Sequence, residues 1–212
     1  MRVRGEQRTT IAGPAGPLEI ALNVRGDGTP GGIALVAHPH PLQGGTLDNK
    51  VVQTLAKTFA ALGYASVRFN FRGVGASGGE FADGIGETDD ALAALAFGTR
   101  EFGDLPVVLA GFSFGSFVQT RVAHTITPER MVLIGPAVNR FPVEHVPADT
   151  IVIHGEEDDV VALADVLAWA RPQQLPIIVF PGCGHFFHGR LSQITRVIQG
   201  MWLRRPQAAG AA

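Results

Sequence analysis

The sequence predicts an α/β fold, with a mostly parallel sheet and helices on both faces. Three observations carry that expectation. Six short runs are largely apolar, as strands buried on both faces should be. Helical patterns separate most of them, and such alternation implies crossover connections in a parallel sheet. One run, Val107-Val108-Leu109-Ala110, leads directly into Gly111-Phe112-Ser113-Phe114-Gly115, a serine between two glycines where a strand meets a helix.

Taken in order, Thr9 to Ala12 and Leu18 to Val24 are short β-rich runs. Gly13-Pro14-Ala15-Gly16-Pro17 between them is a turn signal, so an N-terminal antiparallel hairpin is expected. The buried strands are expected at residues 33–38, 65–69, 107–110, 131–134, 151–153 and 177–180. Helices are expected over 48–62, 88–102, 114–124, 160–170 and 191–203. Thr46 or Asp48 is a natural cap for the first of these, and Asp159 for the fourth. No repeat, charge block or linker interrupts the pattern. One domain over residues 1–205 is therefore expected, with a frayed tail at 206–212.

Composition narrows the function classes. The chain has 212 residues, which suits one domain or at most two, and 46% are apolar, enough for a substantial core. The formal net charge is -2, which gives no reason to expect a nucleic-acid or anionic-membrane partner. Cys183 is the only cysteine, so there is no intrachain disulfide, and a reducing compartment fits. Met1-Arg2-Val3-Arg4-Gly5-Glu6 carries charge but no apolar stretch behind it, unlike a secretory signal. No apolar run approaches the ~20 residues that span a bilayer. A cytoplasmic location is expected. The oligomeric state is not legible.

The strand–serine–helix junction has a chemical reading. A serine at such an apex is strained, and its hydroxyl projects above the sheet edge. The next N–H, that of Phe114, opens a helix and can face a developing anion. Serine is a poor nucleophile without a base. His185, in Gly182-Cys183-Gly184-His185-Phe186-Phe187, follows the last expected strand and can supply one. An imidazole base needs an acid to fix its tautomer. His154-Gly155-Glu156-Glu157-Asp158-Asp159 follows the strand at 151–153 and offers two. The G-x-x-D spacing favours Asp158, with Asp159 as the helix cap, although the sequence does not fully separate the neighbours.

These residues carry a resemblance. The segments HPHPLQGGTLDNK, FNFRGVGASGG, GFSFG, HGEEDD and GCGHFFHGR are similar to those of small, capless bacterial serine hydrolases of the α/β-hydrolase superfamily. The likeness runs from the first hairpin to the last helix. It implies the α/β-hydrolase fold and a nucleophile–acid–histidine order of Ser113, Asp158, His185. Many members carry His-Gly-x after the first parallel strand, where the residue after the glycine donates an oxyanion N–H. On that alignment His40 is the donor here, with Pro39 in place of the glycine; Pro41 has no N–H to offer. His38 is expected to be buried and hydrogen-bonded within its loop. No metal site is expected from the two histidines.

Gly73-Val74-Gly75-Ala76-Ser77-Gly78 matches a dinucleotide fingerprint, but Gly79-Glu80-Phe81-Ala82-Asp83-Gly84 follows instead of the required helix. It resembles the Arg-Gly-x-Gly-x-Ser loop of α/β-hydrolases, with Arg72 either a brace or a plain surface residue. Asn49 is a second candidate for supporting the oxyanion loop. Phe186 and Phe187 are candidates for lining an acyl pocket, or for packing alone. Cys183 is expected to be an incidental thiol.

The segment from Ile134 to Ile151 is too short for a cap, so an open site is expected. The expected activity is hydrolysis of a small-molecule carboxylic ester or thioester through an acyl-serine, without metal or organic cofactor. An amidase or peptidase on the same residues is the first alternative. A non-catalytic binding module with this fold is the second.

Overall fold

The computed structural model describes residues 5–25 and 29–202. Gly26-Asp27-Gly28, Leu203 at the end of the last expected helix and residues 206–212, expected as a tail, lie outside the described residues. The chain opens with strands β1 (Gln7–Gly13) and β2 (Gly16–Asn23), paired antiparallel with Gly13 opposite Gly16. The hairpin anticipated from the Gly-Pro-Ala-Gly-Pro signal is therefore present, with longer strands. Then follow β3 (Ile33–Ala37), α1 (Lys50–Ala61), β4 (Ala65–Phe69), α2 (Ile85–Phe102), β5 (Val107–Phe112) and α3 (Phe114–Val122). β6 (Arg130–Ile134), β7 (Ile151–Gly155), α4 (Leu163–Ala170), β8 (Ile177–Phe180) and α5 (Leu191–Trp202) complete it.

Among the described residues, eight strands form one sheet in the order β1-β2-β4-β3-β5-β6-β7-β8. β3 to β8 run parallel, and β2 joins β4 antiparallel. From β3 the chain first steps outward to β4, then back across to β5. β3 and β5 thus flank a switch point, where open α/β sheets leave a crevice beyond their carboxyl ends.

The apolar runs are buried on both faces because each face has its own helices. Ile33, Leu35, Ala37 and Leu109 pack with residues of α2, α3 and α4, including Ala91, Phe117 and Val166. Ala34, Val36, Val108, Ala110 and Phe112 point the other way, towards Val52, Leu55 and Phe59 of α1 and Ile194 and Ile198 of α5. The alternation follows the period of two along a strand. Phe112 consequently faces the α1/α5 side, one residue before Ser113.

Three expected helix starts are corrected. α1 is capped by Asn49, not Thr46 or Asp48: Asn49 Oδ1 accepts from Val51 N–H at 2.9 Å. α2 begins at Ile85, three residues early, because Glu87 accepts the N–H groups of Ala82 and Gly84 and closes the turn. α4 begins only at Leu163, after Ala162, so Asp159 caps nothing there. No helix lies between β6 and β7, so no cap covers the sheet's carboxyl edge from that connection.

Candidate active site at the carboxyl edge of the sheet

Ser113 stands between the end of β5 and the start of α3 with φ 54° and ψ -115°. A non-glycine residue held there carries strain of order 1–3 kcal/mol, sustained only by its surroundings. Those surroundings are visible. Ser113 N–H donates to Ile134 O at 2.9 Å, tying the apex to β6. Gly115 lets α3 approach β3: a Cβ there would collide with the carbonyl of Ala37. The first N–H of α3, that of Phe114, has no intrahelical acceptor.

His185 lies beside this apex. Its ring packs on Phe112 with centroids 4.9 Å apart, and a Cβ on Gly135 would sit 3.3 Å from its Cε1. Phe112 precedes Ser113 in the chain, and Gly135 follows the residue that holds Ser113 N–H. His185 Nδ1 is 2.7 Å from Asp158 Oδ2. The other carboxylate oxygen, Oδ1, accepts from Val160 N–H at 2.9 Å and Val161 N–H at 2.8 Å. Asp158 therefore serves both the imidazole and the local turn, the second being the task anticipated for Asp159. Burial alone would raise the Asp158 carboxyl; the hydrogen bonds from His185 and from Val161 and Val160 outweigh it and hold its pKa below the ordinary value. Asp158 stays ionised.

The β3 loop forms the opposite wall. His38 is fully buried, with Nδ1 2.6 Å from Pro39 O and Nε2 accepting Phe71 N–H at 3.0 Å. Both ring nitrogens are thus engaged, as anticipated for a buried loop histidine. Desolvation pushes its pKa down to about 3, against a smaller opposing effect of the Pro39 carbonyl. β3 ends at Ala37, so His40 N–H lies beyond the ladder. His40 Nδ1 accepts Leu42 N–H at 3.2 Å, and His40 O accepts Gln43 and Gly45 N–H groups at 3.1 and 3.0 Å. The His40 ring sits against Phe114, 5.1 Å away, and Phe81, 4.9 Å away.

The glycine-rich loop after β4 buttresses this wall. Asn70 Oδ1 accepts Leu47 N–H at 2.8 Å, and Ser77 Oγ donates to Asn70 O at 2.7 Å. Arg72 is a brace, gripping buried Asp90 through Nε at 3.0 Å and Nη2 at 2.9 Å. Asn49 spends its side chain on the α1 cap instead of the oxyanion loop. Phe186 is 48% exposed at the site's edge, 5.2 Å from the His185 ring. Phe187 corrects the pocket expectation: it is 0% exposed and packs edge-on against Phe180 in the core. Cys183 is buried, which raises its thiol pKa and keeps it protonated. Sequence reasoning passed over His154, whose only signal was its place at the end of a buried strand, and Asp90.

A search of known proteins agrees with this architecture. A model of the serine aminopeptidase S33 family of hydrolases matches residues 42–144. A protein of Rickettsia prowazekii, described as uncharacterized, is 32% identical over 78% of this chain and 76% of its own. An α/β serine hydrolase homologue from Coxiella burnetii superposes with a TM-score of 0.84 at 36% identity, over 91% of this chain and 95% of the other. The chain belongs to the α/β-hydrolase superfamily. A second member, a serine hydrolase without a lid from Xanthomonas campestris, gives a TM-score of 0.87 at 34% identity over 96% and 98% of the two chains. The lidless description suits the bare β6–β7 connection here. Among the described residues no helix is long and apolar enough to cross a membrane.

Proposed function

We propose that this α/β-hydrolase cleaves carboxylic esters or thioesters through an acyl-Ser113 intermediate. What supports the reading is the strained Ser113 apex together with an imidazole that packs on the preceding Phe112 and whose Nδ1 lies 2.7 Å from a buried carboxylate. With Nδ1–H held by Asp158, the His185 lone pair sits on Nε2. Nε2 takes the Ser113 proton as Oγ attacks the acyl carbon, and returns it to the leaving alcohol or thiol. A water then repeats the sequence and frees the acid. Asp158 stabilises the imidazolium in both steps without taking its proton.

Charge on the tetrahedral oxygen would be met by the N–H groups of Phe114 and His40. The scheme uses neither metal nor organic cofactor. The bare connection between β6 and β7 suits bulky acyl or leaving groups, and Phe186 supplies an apolar edge.

The family model's aminopeptidase description supports a second reading, amide cleavage by the same residues. Profiling with p-nitrophenyl esters of graded length, acyl-thioesters and aminoacyl anilides separates the two. Higher kcat/KM on esters or thioesters is expected; turnover confined to anilides would replace this proposal with the second reading.

A further inference from the structure

His154 is the fourth residue of β7, and its side chain is fully buried. Its Nε2 lies 2.9 Å from Val161 O and 3.5 Å from Asp158 Oδ2. A carbonyl and a carboxylate can only accept, so Nε2 carries the proton. Nδ1 then holds a lone pair, and it is buried with no hydrogen-bond partner among the described residues. Desolvation lowers the His154 pKa, with smaller opposing effects of Val161 and Asp158, which keeps the ring neutral. A buried polar atom left unpaired is costly, and an apolar ring of similar size would avoid that cost. What the apolar ring would lack is the Nε2–H.

The connections of that N–H form a closed loop. Val161 O accepts from His154, while Val161 N–H donates to Asp158 Oδ1 at 2.8 Å. Asp158 Oδ2, near His154 Nε2, is the oxygen that meets His185. One side chain therefore holds the carbonyl of Val161, the residue whose N–H grips one carboxylate oxygen, and adds positive potential at the other. We propose that His154 is a positioning residue, whose Nε2–H fixes the Asp158 carboxylate and the 158–161 turn against the His185 imidazole. This role rests on the acyl-serine reaction proposed above.

The test compares His154→Phe, which fills the space without a donor, with His154→Gln, whose amide can place a donor near the Nε2 position. His154→Phe should lower kcat by up to about 10²-fold with little change in KM, because misplacement of a catalytic group slows chemistry more than binding. His154→Gln should recover most of the loss. On an Asp158→Asn background, His154→Phe should cost little more, since the group it positions is already disabled. If the two losses multiply, or Gln fails to rescue a folded protein, His154 does not act through Asp158.

Should His154→Phe fail to fold, ¹⁵N shifts of the wild-type imidazole decide instead. A neutral Nε2–H tautomer from pH 6 to 8 is expected; Nδ1–H would overturn the assignment. Fluorophosphonate labelling of wild-type Ser113 separates the two levels. No labelling would overturn the reaction and this role with it, whereas intact labelling with multiplying losses would overturn the role of His154 alone.

Discussion

Gly155 and Cys183 meet backbone to backbone: a Cβ on Gly155 would overlap the Cys183 carbonyl oxygen. That contact brings the loop carrying Asp158 against the loop carrying His185. Glu157 N–H donates to the same carbonyl at 2.9 Å, fastening the approach. Gly155→Ala must push the loops apart. Overpacking of this kind costs about 1–3 kcal/mol. A lower melting temperature and a lower kcat in the folded variant are expected. A variant with wild-type values of both would show that this contact does not position the pair.

The two neighbouring acids should behave differently. Asp158→Asn should leave His185 in the wrong tautomer and cost on the order of 10⁴-fold in kcat. Asp159 caps no helix, so Asp159→Asn should stay within about 0.5 kcal/mol in stability, as surface changes usually do. Its kcat/KM should match wild type. Measuring kcat/KM and urea midpoints for both checks the pair; a larger catalytic loss at Asp159 would reassign the acid.

For His40 the main chain should matter more than the ring. His40→Ala keeps the N–H and should lose about tenfold or less, because the Leu42 contact and the ring's packing go with the imidazole. His40→Pro deletes the donor and should cost about 10²–10³-fold, the usual effect of one oxyanion contact. Circular dichroism must show both variants folded. Equal inactivity of the two would place the imidazole in the chemistry.

His38 makes stability depend on pH. Its folded pKa is about 3, against the ordinary histidine value of about 6.5. Between those values the unfolded chain binds a proton that the folded chain refuses. The His38 contribution is therefore complete above the unfolded value and is lost progressively as pH falls towards the folded one. From pH 6.5 to 5.0 this amounts to up to about 2 kcal/mol. His154 is shifted in the same direction and adds to it. Urea midpoints at pH 7.5 and 5.0 should differ in wild type and differ less in His38→Gln. Identical midpoints at the two pH values in wild type would contradict a neutral, buried His38.

Much of this architecture was legible because its signals are local. The apolar runs marked the strands, since a parallel sheet covered on both faces leaves few polar positions along them. Ser113 stood out because its flanking glycines and the strand–helix switch lie within a few residues. Helix starts were less legible because several side chains compete for the same free N–H groups. Asn49 prevailed over Thr46 and Asp48, and Asp158 took the turn for which Asp159 was available. The contacts of Gly155 with Cys183, His38 with Phe71 and Asn70 with Leu47 join distant segments, and nothing local announces them. Phe186 and Phe187 show the same limit. Adjacent and identical in type, they diverge because Phe187, with φ 52°, turns its ring into the core.

Ser113 is the proposed nucleophile, and covalent labelling reads that role without an assumed substrate. The folded protein is treated with a fluorophosphonate and its peptides are mapped by mass spectrometry. One adduct is expected, on Ser113, with esterase activity lost in proportion to labelling. Ser113→Ala should neither label nor turn over, a loss of up to ~10⁶-fold in kcat by analogy with other triads. An adduct on another residue, or a folded Ser113→Ala variant with wild-type turnover, would contradict it.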